Sequence, residues 1–290
     1  MRNVPEHHRS MQAIFDRSLQ LYTEAERKSF PHLSVFRDGF RREAAEQVAS
    51  ASLVILAGLV DKSFLRLSAS GRYEVQELTR QYGEEHLDAV PDTRKEAQDR
   101  QCAYYASFLH QRQAALRGRN QAAALDEIED AVDNIRESWQ WAVLHDPGRD
   151  IQQSMHSLYV LCYIRAQAQE GQRHFDLALK RFMHDDSAPL AYLLIARSSM
   201  AGFNGRWGGE IHTGHVIRGI QLAYTFWTED EIAIQLQIYR HFREELKTDV
   251  NLRLEQLYRD FLELLRMHDQ TWGAIFCFVA WDILRKLTGI

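Results

Sequence analysis

Apolar positions recur at helical spacing along most of the chain, with one interruption. Residues 10 to 22 carry Ile14, Phe15, Leu19 and Leu21 with helical spacing, and Ser10 as an N-cap. Thr23-Glu24-Ala25-Glu26 is a capping-box pattern and predicts a second helix through about Leu33. Ser34-Val35-Phe36 is a short apolar piece punctuated by Asp38-Gly39. A third helix is predicted from Arg42 to Val48. Ser52 caps a fourth, with Leu53, Leu56, Leu59 and Val60 assigned to one core-facing side. The interruption follows. Leu65 and Leu67 alternate with polar residues, as do Tyr73 and Val75, and Ala69-Ser70-Gly71 supplies the turn of a hairpin. Leu78, Tyr82 and Leu87 then mark one face of the next helix.

Pro91-Asp92 is read as a hinge or helix start, and a domain boundary is placed there. Ala97, Gln101, Tyr104, Tyr105, Phe108 and Leu109 predict one long helix that ends at Gly118-Arg119-Asn120. Leu125, Ile128, Val132, Ile135, Trp139 and Val143 predict a single further helix, closed by Asp146-Pro147-Gly148. Beyond that, HFDLALKRF from His174, VIRGIQLAY from Val216 and LYRDFLELL from Leu257 recur at about 40 residues, within the range of helical repeats. Each is assigned as the second helix of a pair. The predicted fold is mainly α: a winged-helix domain with one β-hairpin at 1–90, a helical linker at 91–147, and degenerate tetratricopeptide-like helical repeats at 148–290 that stack into a superhelix.

Composition narrows the function classes. The 290 residues are 45% apolar and 26% charged, values of an ordinary soluble globular protein. A net charge of −5 does not favour a polyanion as the main partner. Cys102, Cys162 and Cys277 lie far apart, which argues against a disulfide framework or a zinc knuckle and suits small buried apolar residues. No apolar run approaches a bilayer span and the first residues lack an apolar leader core, so a cytoplasmic location is expected.

The runs RSMQAIFDRSLQLYTEAERKSFPHLSVFRDGFRREAAEQVA, SLVILAGLVDKSFLRL and GRYEVQELTRQYGEEHL resemble the winged-helix domain of STAND-class signalling ATPases, including the bacterial NB-ARC-like transcriptional regulators. RQCAYYASFLHQRQAALRG and LDEIEDAVDNIRESWQWAVLHD are similar to the helical linker that follows it there. The Gly171 and Trp272 regions resemble the degenerate repeats that come next. The resemblance covers most of the chain and is strongest over residues 9 to 145. It implies docking of the winged helix on a nucleotide-binding domain in cis or in trans, with ADP held between the two. It also implies a protein or small-molecule signal bound on the repeats. In the family, a Met-His-Asp motif at the hairpin-to-helix junction places its His on the ADP β-phosphate. Val75, Gln76 and Glu77 stand at those positions, so Gln76 is the one candidate nucleotide contact, with a neutral amide in place of a cation.

The departures matter as much. No G-x-x-x-x-G-K-[ST] run exists, and the glycines of FNGRWGG at 203–209 lack the Lys-Ser/Thr that would follow. The chain alone is expected to be non-enzymatic, and to be a fragment of a longer regulator or the product of a truncated gene. Any ADP or ATP would come with a separately supplied nucleotide-binding domain. The Ser52–Val60 helix, in the place of a DNA-reading helix, has no Arg, Lys, Asn or Gln and suits burial against another domain. Arg66 and Arg72 could touch phosphate, but two charges give little affinity. His212 and His215 are spaced i, i+3 without a third or fourth ligand, so they are read as packing or surface residues. Tyr104, Tyr105, Trp139 and Trp141 are read as core. Two other readings stay open: a free-standing helical-repeat adaptor that binds peptides, and a DNA-binding winged-helix regulator.

Overall fold

The computed structural model describes residues 21–203, apart from 117, 146, 147 and 185, and a few positions between 215 and 226. The helix expected over residues 10 to 22 lies almost wholly outside that set. The described residues are mainly α-helical, with one small antiparallel hairpin near the start and helices thereafter. The chain divides into two compact units, one ending at Leu161 and the other starting at Cys162.

In the first unit, α1 spans Glu24–Leu33, α2 Arg42–Ala49 and α3 Leu53–Asp61. The capping box is present: Thr23 Oγ1 accepts from Glu26 N (3.2 Å), and Thr23 N donates to Glu26 Oε2 (2.7 Å). The box places the Glu26 carboxylate under α3, where it is nearly buried and Lys62 Nζ reaches it at 2.5 Å. Burial works against ionisation of Glu26, but hydrogen bonds from Lys62 and Thr23 outweigh it and hold the carboxyl below its ordinary range. α3 tolerates this only because residue 58 is glycine. A Cβ there would collide with the Glu26 carboxylate oxygen.

Strands β1 (Leu65–Leu67) and β2 (Tyr73–Val75) pair Leu65 with Val75 and Leu67 with Tyr73. Gly71 takes the positive φ of 76° that the turn requires. The hairpin is not alone: Phe40 joins its open edge, exchanging Phe40 N→Tyr73 O (2.9 Å) and Tyr73 N→Phe40 O (2.8 Å). The chain continues through α4 (Glu77–Asp88), α5 (Pro91–Leu116), α6 (Gln121–Glu129), α7 (Val132–His145) and α8 (Arg149–Ile164). Pro91 opens α5, a position where a missing N–H costs nothing.

Three expectations need correction here. The run from Leu125 to Val143 is two helices, broken at Asp130-Ala131. Ile128 and Ile135 are both buried, so the apolar stripe continues through the break, which is why periodicity did not show it. Asp130 is a poor helix-interior residue, and the turn brings its carboxylate 4.0 Å from both Arg41 and Arg72. Leu78 is 50% exposed, whereas Tyr82 and Leu87 are buried. Leu53 is likewise half exposed and Val60 only partly buried, while Leu56 and Leu59 are fully buried.

In the second unit, α9 (Ala168–Phe182) buries Gly171, His174, Phe175, Ala178, Leu179 and Phe182, a continuous helical face. It packs on α10 (Ala188–Phe203), whose Leu190, Ala191, Leu193 and Leu194 are fully buried. Arg197 Nε to Asp176 Oδ1 (2.8 Å) ties the two helices at their edge. The His174 run lies on α9. The recurrence at Val216 falls partly, and that at Leu257 wholly, outside the described residues. Among the described residues no single helix is long and apolar enough to cross a membrane.

Two outcomes follow from the Glu26 site. Gly58→Ala should lower stability by about 1–3 kcal/mol, the usual cost of overpacking, read by urea denaturation. The folded pKa of Glu26 is depressed, so its contribution is present above the unfolded carboxylate value and lost as pH falls through the folded one. Between about pH 5 and about pH 3, Glu26→Gln should therefore lose less stability than the wild type; equal losses would show that Glu26 carries no such contribution.

Candidate functional site

Helices α2 and α3 meet at 103° across Ser50-Ala51-Ser52, the geometry of a helix-turn-helix pair. Ser50 makes the corner by adopting the left-handed conformation (φ 52°, ψ 27°), and its N–H and that of Ala51 both donate to Ala45 O. Ser52 then caps α3, its Oγ accepting weakly from Ile55 N at 3.5 Å. α3 is apolar through residue 60, yet it buries only the Leu56–Leu59 side. Val54 is 81% exposed, Leu53 is 49% exposed, and Ala57 is exposed beside them. Its only charged residue is Asp61, so the outward face has shape and apolar surface but no base-reading or phosphate-binding group.

The hairpin-to-helix junction has a different chemistry. Gln76 is the N-cap residue of α4, with extended backbone (φ −64°, ψ 144°), and its side chain makes no capping hydrogen bond. It is exposed, so its amide points to no partner within α4's first turn. The next charges are mutually engaged. Arg80 reaches Glu77 Oε1 at 2.7 Å and Glu84 Oε1 at 2.7 Å. Arg37 reaches the same Glu84 at 2.6 Å and Glu137 of α7 at 3.0 Å. Its hydrogen bond to Glu137 comes first among the causes that raise the Arg37 pKa. Gln81 adds a hydrogen bond to Glu77 Oε1 (2.7 Å). The hydrogen bond from Arg80 leads those that hold the Glu77 carboxyl below its ordinary range. Three carboxylates thus face two guanidiniums. Gln76 stands one residue before this ion-paired network as an exposed neutral amide.

Of the two hairpin arginines, only Arg66 is exposed. Arg72 lies with 15% of its side chain exposed, its guanidinium donating to Asp38 Oδ2 (2.9 Å) and Gly39 O (2.5 Å). The reading of Arg72 as a phosphate contact is therefore corrected: it fastens the hairpin to the loop before α2. His212 lies outside the described residues. His215 is half-buried, and burial pushes its imidazole down, helped by the nearby Arg197. No group of three or more His, Cys, Asp or Glu suited to a metal occurs among the described residues.

Cys102 and Cys162 are buried thiols that form no disulfide, as their spacing suggests; Cys277 lies outside the described residues. The Cys102 thiol donates to Asp150 Oδ2 at 3.2 Å beside a cavity of ≈ 10 Å³, about the room for one water. Tyr105 and Trp139 are core residues, while Trp141 is half-exposed and donates from Nε1 to Asp99 (2.8 Å). Two functional-looking residues escaped the sequence pattern: Asn134 and Arg37. Asn134 precedes Ile135 on the buried face of α7, which also carries Ser138.

Adding ADP to the chain alone should leave its thermal midpoint unchanged, because any ligand that binds only the folded form raises it. A concentration-dependent rise would place a phosphate site on this chain. No family model, no curated protein and no solved structure matches this chain.

Proposed function

We propose that this chain is a non-enzymatic regulatory module, in which a winged helix docks through α3 on a nucleotide-binding domain supplied in cis or in trans. The element order supports the winged-helix assignment: α1, the single-residue strand at Phe40, α2, α3, then the β1–β2 wing. The observation that carries the docking reading is the outward face of α3. Leu53, Val54 and Ala57 are exposed on a helix that holds no Arg, Lys, Asn or Gln. In a DNA reader this helix supplies the base contacts. Here it supplies apolar area, and full burial of a Val or Leu side chain is worth roughly 1.5–3 kcal/mol.

The helices from Cys162 onward then serve as the surface for a protein or small-molecule signal, in the manner of tetratricopeptide-like pairs. Gln76 faces the nucleotide of the partner domain as a neutral donor. The module works in the cytoplasm in this reading.

Val54→Asp is the informative substitution. The side chain is already 81% exposed, so the change should be nearly silent in stability. Binding to a purified nucleotide-binding domain, measured by calorimetry, should weaken by about tenfold or more, since charge is depleted from interface cores. Unchanged affinity removes α3 from the interface. Salt-dependent retardation of duplex DNA that vanishes in Arg66→Ala would instead favour the DNA-binding reading.

A further inference from the structure

The segment from Val35 to Phe40 has no regular secondary structure, apart from the bridge at Phe40, yet its backbone is held from several sides. Val35 O accepts from Gln101 Nε2 of α5 at 3.1 Å. Arg37 N donates to Asn134 Oδ1 of α7 at 2.8 Å, and Gly39 O accepts from Asn134 Nδ2 at 3.2 Å. These are alternate residues. One buried amide side chain thus satisfies a backbone N–H and a backbone carbonyl two residues apart. Asn134 is fully buried and Gln101 nearly so. On the other side, Phe40 pairs with Tyr73 of the hairpin, and Arg72 donates to the same Gly39 O.

Side chains repeat the arrangement. Phe36 stacks on Phe40 with ring centres 4.2 Å apart and meets Tyr105 of α5 edge-on at 6.4 Å. The Arg37 guanidinium leaves the segment in two directions, to Glu84 of α4 and Glu137 of α7. The segment therefore touches the hairpin, α4, α5 and α7 at once. Among these contacts, the buried amides are the ones with no slack: an Asn that loses either partner leaves a buried polar group unpaired.

We infer that residues 35–40 form a strap that couples the helix-turn-helix half to helices α5 and α7, so that a displacement imposed at one is transmitted to the other. Its regulatory use rests on the proposed docking of α3, but the coupling itself does not require it. Asn134 is the positioning residue. The outer ion pairs of Arg37 are exposed enough to be screened by salt and serve as a weaker second tie.

The experiment is native-state amide hydrogen exchange on the full chain, comparing peptides from 42–61 with peptides from 97–109 and 135–143. The wild type is expected to protect both sets to a common level. In Asn134→Ala the Arg37 and Phe40 amides should exchange about tenfold faster, and the 42–61 peptides should separate from the α5 and α7 peptides. Arg37→Met, which leaves the backbone bonds in place, should change exchange little and produce no separation. If both peptide sets in Asn134→Ala lose protection by the same factor, or neither does, the strap is ordinary core and the inference fails. Should Asn134→Ala not fold, Asn134→Asp keeps the acceptor for Arg37 N and loses only the donor to Gly39 O; it must then show the same separation, or the inference is overturned. No partner is present in this experiment and no α3 residue is substituted, so its failure would leave the docking proposal standing.

Discussion

The backbone between α1 and α2 must satisfy its polar groups without belonging to a helix or, beyond one residue, to a sheet. The rest of the first unit is arranged around that demand. Gln101 and Asn134 lie on helices that come much later in the chain, and their amides meet the main chain of Val35, Arg37 and Gly39. The positions of α5 and α7 against the hairpin half are therefore fixed by polar geometry as well as by the aromatic contact of Phe36 with Tyr105. Close-packed apolar side chains resist sliding by shape, and the buried amide adds a directional constraint, because losing either bond leaves a polar group unpaired.

Much of the local structure could be read from the sequence because it is set by local chemistry. The Thr23–Glu26 capping box, the Ser52 cap, Gly71 in the hairpin turn and Pro91 at a helix start all act within a few residues. What escaped was set by tertiary neighbours. α3 is apolar all round, so its sequence carries no direction, and nothing local says that Leu56 is buried while Leu53 is half exposed. The α6–α7 break hides because Ile128 and Ile135 both stay on the stripe; Asp130, a poor helix-interior residue, is its local sign. Gln76 could be placed at a helix start from sequence, but the acidic setting made by Glu77, Glu84 and Glu137 arises from a fold that brings residues far apart in the chain together.

Charge is spent internally in this unit. Arg37, Arg72, Arg80 and Arg112 each have carboxylate partners, in several cases from distant elements. With a net charge of −5 over the chain, the outward faces of α3 and of the α4 N-terminus lack the positive field that would draw in a polyanion. The proposed docking on a protein domain draws on the exposed apolar surface of the first and the neutral amide of the second.

The closeness of α1 and α3 ties two positions together in descent. Any side chain at residue 58 must displace the Glu26 carboxylate, and that carboxylate caps α1 and holds Lys62. A lineage that gains a Cβ at 58 while keeping Glu26 passes through a strained intermediate, and one that first loses Glu26 gives up the cap. Residues 26 and 58 are therefore one coupled pair, and the effect of changing both should not equal the sum of the two single changes.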